Sequence, residues 1–191
     1  MPSRLPNALT LFRLAAAPGV AVAFAVLPRP AADLAAFALF ALAALTDYVD
    51  GWLARKLDAI TPLGRMMDPI ADKAMVAIAL ATLLAVHGAD PWLLLPAAAI
   101  LFRETAVSGL REFLAGRVVV PVTFAAKAKT TVQMLALGLL LLAGGLGTPG
   151  PHPYLWPAGL FLLLVAAGLT LWTGWDYFRR ALADPAFRGR S

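Results

Sequence analysis

The chain has 191 residues, of which 61% are hydrophobic and only 14% are charged. Soluble domains average about half apolar and about a quarter charged residues, so this composition excludes an ordinary soluble domain and favours an integral membrane protein. The chain has no cysteine, which excludes disulfides and thiolate metal sites. Its net charge is +5, and its basic residues lie beside apolar segments. The favoured partner is therefore an anionic membrane lipid surface and not nucleic acid.

Six apolar segments follow one another along the chain. Each is close to the ~20 residues that a helix needs to cross a hydrocarbon core of about 30 Å. They lie at residues 8–28, 33–53, 69–88, 91–114, 129–146 and 154–177, separated by stretches rich in Pro, Gly or Asp. Alanine and leucine dominate without strict alternation, and lipid requires every backbone N–H to be paired internally. The sequence predicts an all-α polytopic membrane protein with six transmembrane helices, forming a single domain over residues 1–191.

The basic residues predict the orientation in the membrane. Most lie at the termini or in the second and fourth loops: Arg4, Arg55, Lys56, Arg65, Arg117, Lys127, Arg179, Arg180, Arg188 and Arg190. The first, third and fifth loops together contain one basic residue, Arg29. Because Lys and Arg favour the cytoplasmic side, we expect both termini and the even loops to be cytoplasmic.

Four aspartates flank the second loop, in the stretch TDYVDGWLARKLDAITPLGRMMDPIADK. Asp47 and Asp50 are three residues apart, and Asp68 and Asp72 are four apart, so each pair shares one face of a helix. The linker is short, so all four carboxylates can converge at the membrane boundary, where they would repel one another unless a cation compensated them. A carboxylate set without His or Cys selects hard ions, Mg²⁺ or Mn²⁺.

Small residues near the aspartates indicate a ligand that approaches the backbone. Gly51 follows Asp50 directly, Ala54 lies one turn later, and Gly64 precedes the third segment. Arg55 supplies a planar fork for phosphate.

Local roles compete with the metal-site interpretation. Asp68 precedes Pro69 and could serve as an N-cap at the start of the third helix. Asp50 could pair with Arg55. Four carboxylates at these spacings favour the metal site over such separate roles.

The same stretch reads D-x-x-D-G-x-x-A-R-x8-G-x3-D-x3-D and resembles the signature of the CDP-alcohol phosphatidyltransferase family. Eight fixed residues at fixed spacing make this signal specific. The stretches LPNALTLFRLAAAP, FRETAVSGLRE and KAKTTVQM are similar to the bacterial phosphatidylglycerophosphate synthases of that family. Beyond Met134 the chain contributes only hydrophobic helices.

The resemblance implies six helices around a polar cavity open to the cytoplasm, a homodimer, and a multi-pass location in the bacterial cytoplasmic membrane. It implies transfer of a phosphatidyl group from CDP-diacylglycerol to glycerol 3-phosphate with release of CMP, supported by two ions of Mg²⁺ or Mn²⁺. The implied metal ligands are Asp47, Asp50, Asp68 and Asp72, with Asp72 also the general base, and the implied CDP-binding residues are Gly51, Ala54, Arg55 and Gly64.

A second group of basic residues predicts a site for the acceptor phosphate. Arg103 and Glu104 lie inside the fourth apolar segment, where ionisable residues normally face the interior and are functional. The predicted anion pocket consists of Arg103, Arg111, Lys127 and Lys129. In the alternative, Arg103 pairs with Glu104 or a neighbouring helix and the two lysines only anchor the membrane interface.

Two polar residues of the first segment, Thr10 and Arg13, match the family's opening motif. The resemblance implies that they contact the nucleotide or a phosphate. Alternatively, they tie the first helix to its neighbours.

Two alternatives to this function stay open. The same chemistry could use serine, inositol phosphate or phosphatidylglycerol as acceptor. A divalent-cation transporter could also use four aspartates, although its site should lie near the bilayer midplane with access to both faces.

Overall fold

The structure, a computed structural model, describes residues 4–57, 62–114, 124–147 and 150–183, without the side chains of residues 4–7, 48–57, 62–63, 65, 114 and 124–126. It contains six helices: α1 (Arg4–Val26), α2 (Ala31–Leu57), α3 (Pro62–His87), α4 (Pro91–Leu114), α5 (Phe124–Leu146) and α6 (Leu155–Ala183). No strand occurs in the described ranges. The all-α prediction is confirmed.

Five helices in the described part of the chain are long and apolar enough to cross a membrane. These spans are Ala8–Val26, Met66–His87, Pro91–Phe113, Lys127–Leu146 and Leu155–Ala183. The described side chains of α2 cover only residues 31–47, and α2 is not among the five. The prediction of a polytopic membrane protein is confirmed.

Helix α3 begins earlier than the sequence pattern predicts. It starts at Pro62 and contains Pro69, so Asp68 lies inside the helix and not at its N-terminus. The N-cap interpretation of Asp68 is therefore wrong, because the carboxylate bonds to side chains of α1 instead. A cap of that kind does occur before α4, where the Trp92 backbone N–H donates to Asp90 Oδ1 at 3.0 Å.

The helices form two compact units. The first contains Met1–Gly88 and Leu137–Gly159, and in it α1 packs against both α2 and α3. Its buried side chains include Ala17, Val20 and Leu80, a mixture of small and larger residues that permits close helix packing in lipid.

The second unit contains Ala89–Ala136 and Leu160–Ser191. Its buried side chains include Leu93, Ile100 and Leu163. That all 191 residues form one domain stays a prediction.

A half-buried ion pair lies in the first unit, where the chain connects α1 to α2. Arg29 donates from Nε and Nη2 to the two oxygens of Asp33, at 2.7 and 2.8 Å, and Asp33 is completely buried. Gly144 of α5 makes room for this pair, since a Cβ there would overlap Asp33 Oδ1. His87 lies 3.5 Å from Arg29 and packs on Trp156 with ring centroids 4.2 Å apart. The pair thus joins α2, α3 and α5 at this end of the unit.

Candidate active site

Three of the four predicted aspartates converge on one arginine of α1. Arg13 Nη1 contacts Asp47 Oδ1 and donates to Asp72 Oδ1 at 2.9 Å, and Arg13 Nη2 donates to Asp68 Oδ1 at 2.8 Å. The predicted convergence of α2 and α3 carboxylates is confirmed for these three residues. The guanidinium is shared among residues 34 to 59 positions away in the sequence.

The cluster has a buried side and an open side. The Arg13 side chain is only 4% exposed, whereas those of Asp47, Asp68 and Asp72 are 54%, 45% and 60% exposed. Thr10, one turn before Arg13 on α1, donates to Asp68 Oδ1 at 3.0 Å. Arg13 and Thr10 therefore form the inner wall of the cluster, and the carboxylates form its accessible surface.

The chemistry of the cluster suits a hard divalent cation. Within the described residues no group of three or more His, Cys, Asp or Glu side chains is already arranged around a metal position. The three aspartates instead surround a guanidinium, and each contact with it uses Oδ1. In the described part of the chain, the Oδ2 atoms thus stay available to a further ligand. Such an all-carboxylate donor set is the kind that Mg²⁺ and Mn²⁺ prefer.

Four residues of the predicted metal and CDP sites have no described side-chain environment. Asp50, Gly51, Ala54 and Arg55 belong to α2, but their surroundings are not among the described parts of the structure. Gly64 is described as a partly exposed residue in the first turn of α3. The metal and CDP-binding roles of these residues stay predictions.

Two of the predicted acceptor-site cations share one carboxylate in the second unit. Glu104 Oε1 accepts from Lys129 Nζ at 2.5 Å and from Arg103 Nη1 at 3.0 Å. Arg103 Nη2 also donates to Thr173 of α6 at 3.3 Å. The pairing of Arg103 with Glu104 agrees with the alternative given for it above, and it also places Lys129 and Arg103 together.

The other two predicted acceptor-site cations are arranged differently. The Arg111 guanidinium carbon lies 6.0 Å from the centroid of the Tyr177 ring, and Arg111 is exposed. Lys127 is exposed, one turn before Thr131 on α5. The structure therefore groups Arg103 with Lys129 around Glu104, and it does not place Arg111 or Lys127 on that carboxylate.

An apolar groove of about 280 Å³ adjoins Arg103 between α4 and α6. The residues that line it are Phe102, Arg103, Ala106, Leu171, Gly174, Trp175 and Phe178. Gly174 allows the Arg103 stem to lie against α6, because a Cβ there would be 2.8 Å from Arg103 Cγ.

Sequence reasoning missed the central position of Arg13 in the carboxylate cluster. The signal was available, because an arginine inside an apolar span requires an anionic partner and four uncompensated aspartates require a cation. It also missed Thr173 and Tyr177, whose contacts with Arg103 and Arg111 join α4 to α6. The sequence pattern does not predict those two contacts, because they depend on how α4 and α6 pack.

Comparison with known proteins places the cluster in context. The family model described as CDP-alcohol phosphatidyltransferase matches residues 3–175. A CDP-diacylglycerol–glycerol-3-phosphate 3-phosphatidyltransferase of Cereibacter sphaeroides is 46% identical, with 93% of this chain and 95% of that protein covered. A protein of the same name from Rickettsia bellii is 44% identical, with 92% of this chain and 93% of that protein covered. One from Escherichia coli is 41% identical, with 96% of this chain and 98% of that protein covered.

Proposed function

The chain belongs to the CDP-alcohol phosphatidyltransferase family, and we propose that it transfers the phosphatidyl group of CDP-diacylglycerol to glycerol 3-phosphate. The products are phosphatidylglycerophosphate and CMP, so the enzyme acts in anionic phospholipid biosynthesis. The observation that carries the proposal is the convergence of Asp47, Asp68 and Asp72 on one accessible surface. Relatives that are 41–46% identical and named for this reaction support the choice of acceptor.

At phosphorus the reaction forms one bond and breaks one, and the acceptor hydroxyl gives up its proton. A hydroxyl oxygen of glycerol 3-phosphate bonds to the phosphorus that carries diacylglycerol, and the bond from that phosphorus to CMP breaks. We assign Asp72 as the base that takes the hydroxyl proton. Its carboxylate is 60% exposed on the open side of the cluster, and its hydrogen bond from Arg13 at 2.9 Å fixes its orientation.

We propose Asp47, Asp50, Asp68 and Asp72 as the residues that hold Mg²⁺ or Mn²⁺, as two ions. When bound, the ions neutralise charge on the diphosphate and stabilise the CMP leaving group. The carboxylate-only donor set supports this assignment. Gly51, Ala54, Arg55 and Gly64 are proposed to bind the cytidine diphosphate, as the family signature suggests.

We propose that Arg103 and Lys129 recognise the acceptor phosphate, with Arg111 and Lys127 at its approach. Glu104 holds the first two cations in place, and a phosphate dianion offers them a second anionic partner. We further propose that a lipid chain binds in this unit, and the apolar groove beside Arg103 supports that proposal.

The basic residues support a cytoplasmic position for both termini and for the carboxylate cluster in the bacterial membrane. Since the chain has no cysteine, single cysteines introduced into each loop would report this orientation through membrane-impermeant labelling. We further propose a homodimer, which crosslinking in native membranes would test.

CMP release by the purified protein tests the function directly. The protein in detergent receives CDP-diacylglycerol and one alcohol at a time, with Mg²⁺ or with EDTA. We expect release that requires both glycerol 3-phosphate and Mg²⁺. Release with serine, inositol phosphate or phosphatidylglycerol instead would refute the proposed acceptor, and Mg²⁺-independent release would refute the metal role.

A matched pair of variants separates loss of the base from loss of a charge. Asp72→Asn should lower the rate of release by about 10²–10⁴-fold. Asp176→Asn should leave it unchanged, because among the described residues Asp176 pairs only with the exposed Arg179 and Arg180 near the end of α6. A folded protein that binds divalent ions but releases no CMP with any alcohol would revive the transporter alternative.

A further inference from the structure

The carboxylate cluster contains its own cation. Arg13 contacts Asp47, Asp68 and Asp72 through both terminal nitrogens of its guanidinium. Its side chain is only 4% exposed. Arg13 Nε is buried and has no hydrogen-bond partner among the described residues. Few arginines are so fully enclosed, and this one lies in an apolar helix where an isolated charge is costly.

Within the described contacts, Arg13 compensates only part of the charge of the three carboxylates. It brings one positive charge to three negative ones. The contacts approach from the buried side, and the same carboxylates are about half exposed on the other side. A second cation can therefore approach the carboxylates from the open side and draw them away from Arg13, whose side chain lies on the buried side.

We propose that Arg13 is the resident counter-ion of this cluster and competes with divalent cations for the same carboxylates. It stabilises the cluster when no other cation is bound, and it lowers the affinity of the carboxylates for a divalent ion. This inference rests on the proposed metal role of the aspartates. It assigns Arg13 a different role from the contact with nucleotide or phosphate that the opening motif implies.

The competing explanation is that Arg13 only holds the carboxylates together. The two roles predict opposite effects on metal affinity when the positive charge is removed. A residue that only gathers the ligands would leave the affinity weaker or unchanged in its absence. A competing charge would leave it stronger, since even in bulk water two unit charges about 4 Å apart alter a binding constant roughly fivefold, and a divalent ion is affected more.

Mn²⁺ binding to the purified protein distinguishes the two roles without any substrate. The binding is measured as the loss of the electron paramagnetic resonance signal of free Mn²⁺. We expect Arg13→Gln to bind Mn²⁺ at least about tenfold more tightly than the wild type. Arg13→Lys keeps the charge and should stay close to the wild type. Arg179→Gln removes one positive charge from an exposed position outside the cluster and serves as the matched control.

Thermal unfolding gives a second readout on the same variants. Without divalent ions, Arg13→Gln should unfold at a lower temperature than Arg13→Lys, because the carboxylates have lost their counter-ion. Added Mg²⁺ should raise the unfolding temperature of Arg13→Gln more than that of the wild type. Equal or weaker Mn²⁺ binding by folded Arg13→Gln would overturn the proposal.

A measurement on the wild type keeps the proposal testable if Arg13→Gln does not fold. In protein labelled with ¹⁵N-arginine, the Arg13 guanidinium protons should exchange slowly with water and should exchange faster when Mg²⁺ saturates the cluster. Unchanged exchange at saturation would overturn the competition. If neither the wild type nor Arg13→Gln binds Mn²⁺, the proposed metal role itself fails, whereas binding by both with equal affinity refutes only the role of Arg13.

Discussion

Replacing Gly144 with alanine should destabilise the protein through the half-buried Arg29–Asp33 pair. A Cβ at this position would overlap Asp33 Oδ1 and lie 2.7 Å from Arg29 Nη2. Asp33 is completely buried and bonded to Arg29 through both oxygens, so it cannot turn away without losing its partner. The substitution therefore forces either the helix α5 or the ion pair to move.

The magnitude follows from three contributions. Overpacking a filled interior costs about 1–3 kcal/mol. Disrupting the pair costs about 1–3 kcal/mol more, below the usual range for a fully buried pair because the Arg29 side chain is 39% exposed. Alanine regains about 1 kcal/mol as the better helix former. The net loss is about 1–5 kcal/mol. At about 2–4 °C per kcal/mol for a chain of this size, it lowers the Tm by roughly 2–20 °C.

Unfolding in detergent, followed by tryptophan fluorescence, measures this loss against a control on the same helix. Gly138→Ala meets nothing closer than Phe37 Cε2 at 3.9 Å, so its Tm should be unchanged or slightly raised. A Tm of Gly144→Ala equal to that of Gly138→Ala would refute the reasoning. The double variant Gly144→Ala with Asp33→Ala should lose less stability than the sum of the single changes, since the overlapping carboxylate is gone.

Three further predictions concern the two candidate sites. Asp72→Asn should lower kcat by about 10²–10⁴-fold in the CMP-release assay, as loss of a general base does, and activity within about tenfold of the wild type would contradict the assignment. Glu104→Gln should lower the Tm, since it leaves Arg103 and Lys129 without the carboxylate they share. Added glycerol 3-phosphate should restore part of the lost Tm. A Tm that does not respond to glycerol 3-phosphate would argue against an acceptor site there. Gly174→Ala should displace the Arg103 stem and raise the KM for glycerol 3-phosphate by roughly tenfold, while Gly168→Ala, with nothing within 4 Å of its Cβ, should leave that KM unchanged.

The apolar pattern predicted the number and the approximate positions of the helices, because lipid leaves the backbone few alternatives. It placed the start of the third helix near residue 69, whereas α3 begins at Pro62. The first turns of α3 contain Arg65 and Asp68, which an apolar pattern leaves outside the segment. The carboxylate of Asp68 is compensated by Arg13, a residue 55 positions away, and no local pattern contains that information.

The candidate site was predictable in its residue types and only partly in its arrangement. The spacing of the aspartates determined which helix face carries them, so the convergence of Asp47, Asp68 and Asp72 could be anticipated. The pairing of Lys129 with Glu104 joins residues 25 positions apart on α4 and α5, and it depends on how those helices pack. Adjacent charges made the Arg103–Glu104 pair easier to foresee.

The closely packed ion pair at Asp33 makes the two ends of the first unit mechanically different. Asp33 and Asp47 lie 14 residues apart on α2, about 21 Å along the helix axis. At the Asp33 end, Gly144 brings α5 against the pair, and spreading the helices would expose a buried carboxylate to lipid. At the Asp47 end the carboxylates are already about half exposed. Thermal motion that admits a bulky lipid headgroup should therefore pivot about the Asp33 end, so that the helices separate most at the Asp47 end, where we propose that the reaction takes place.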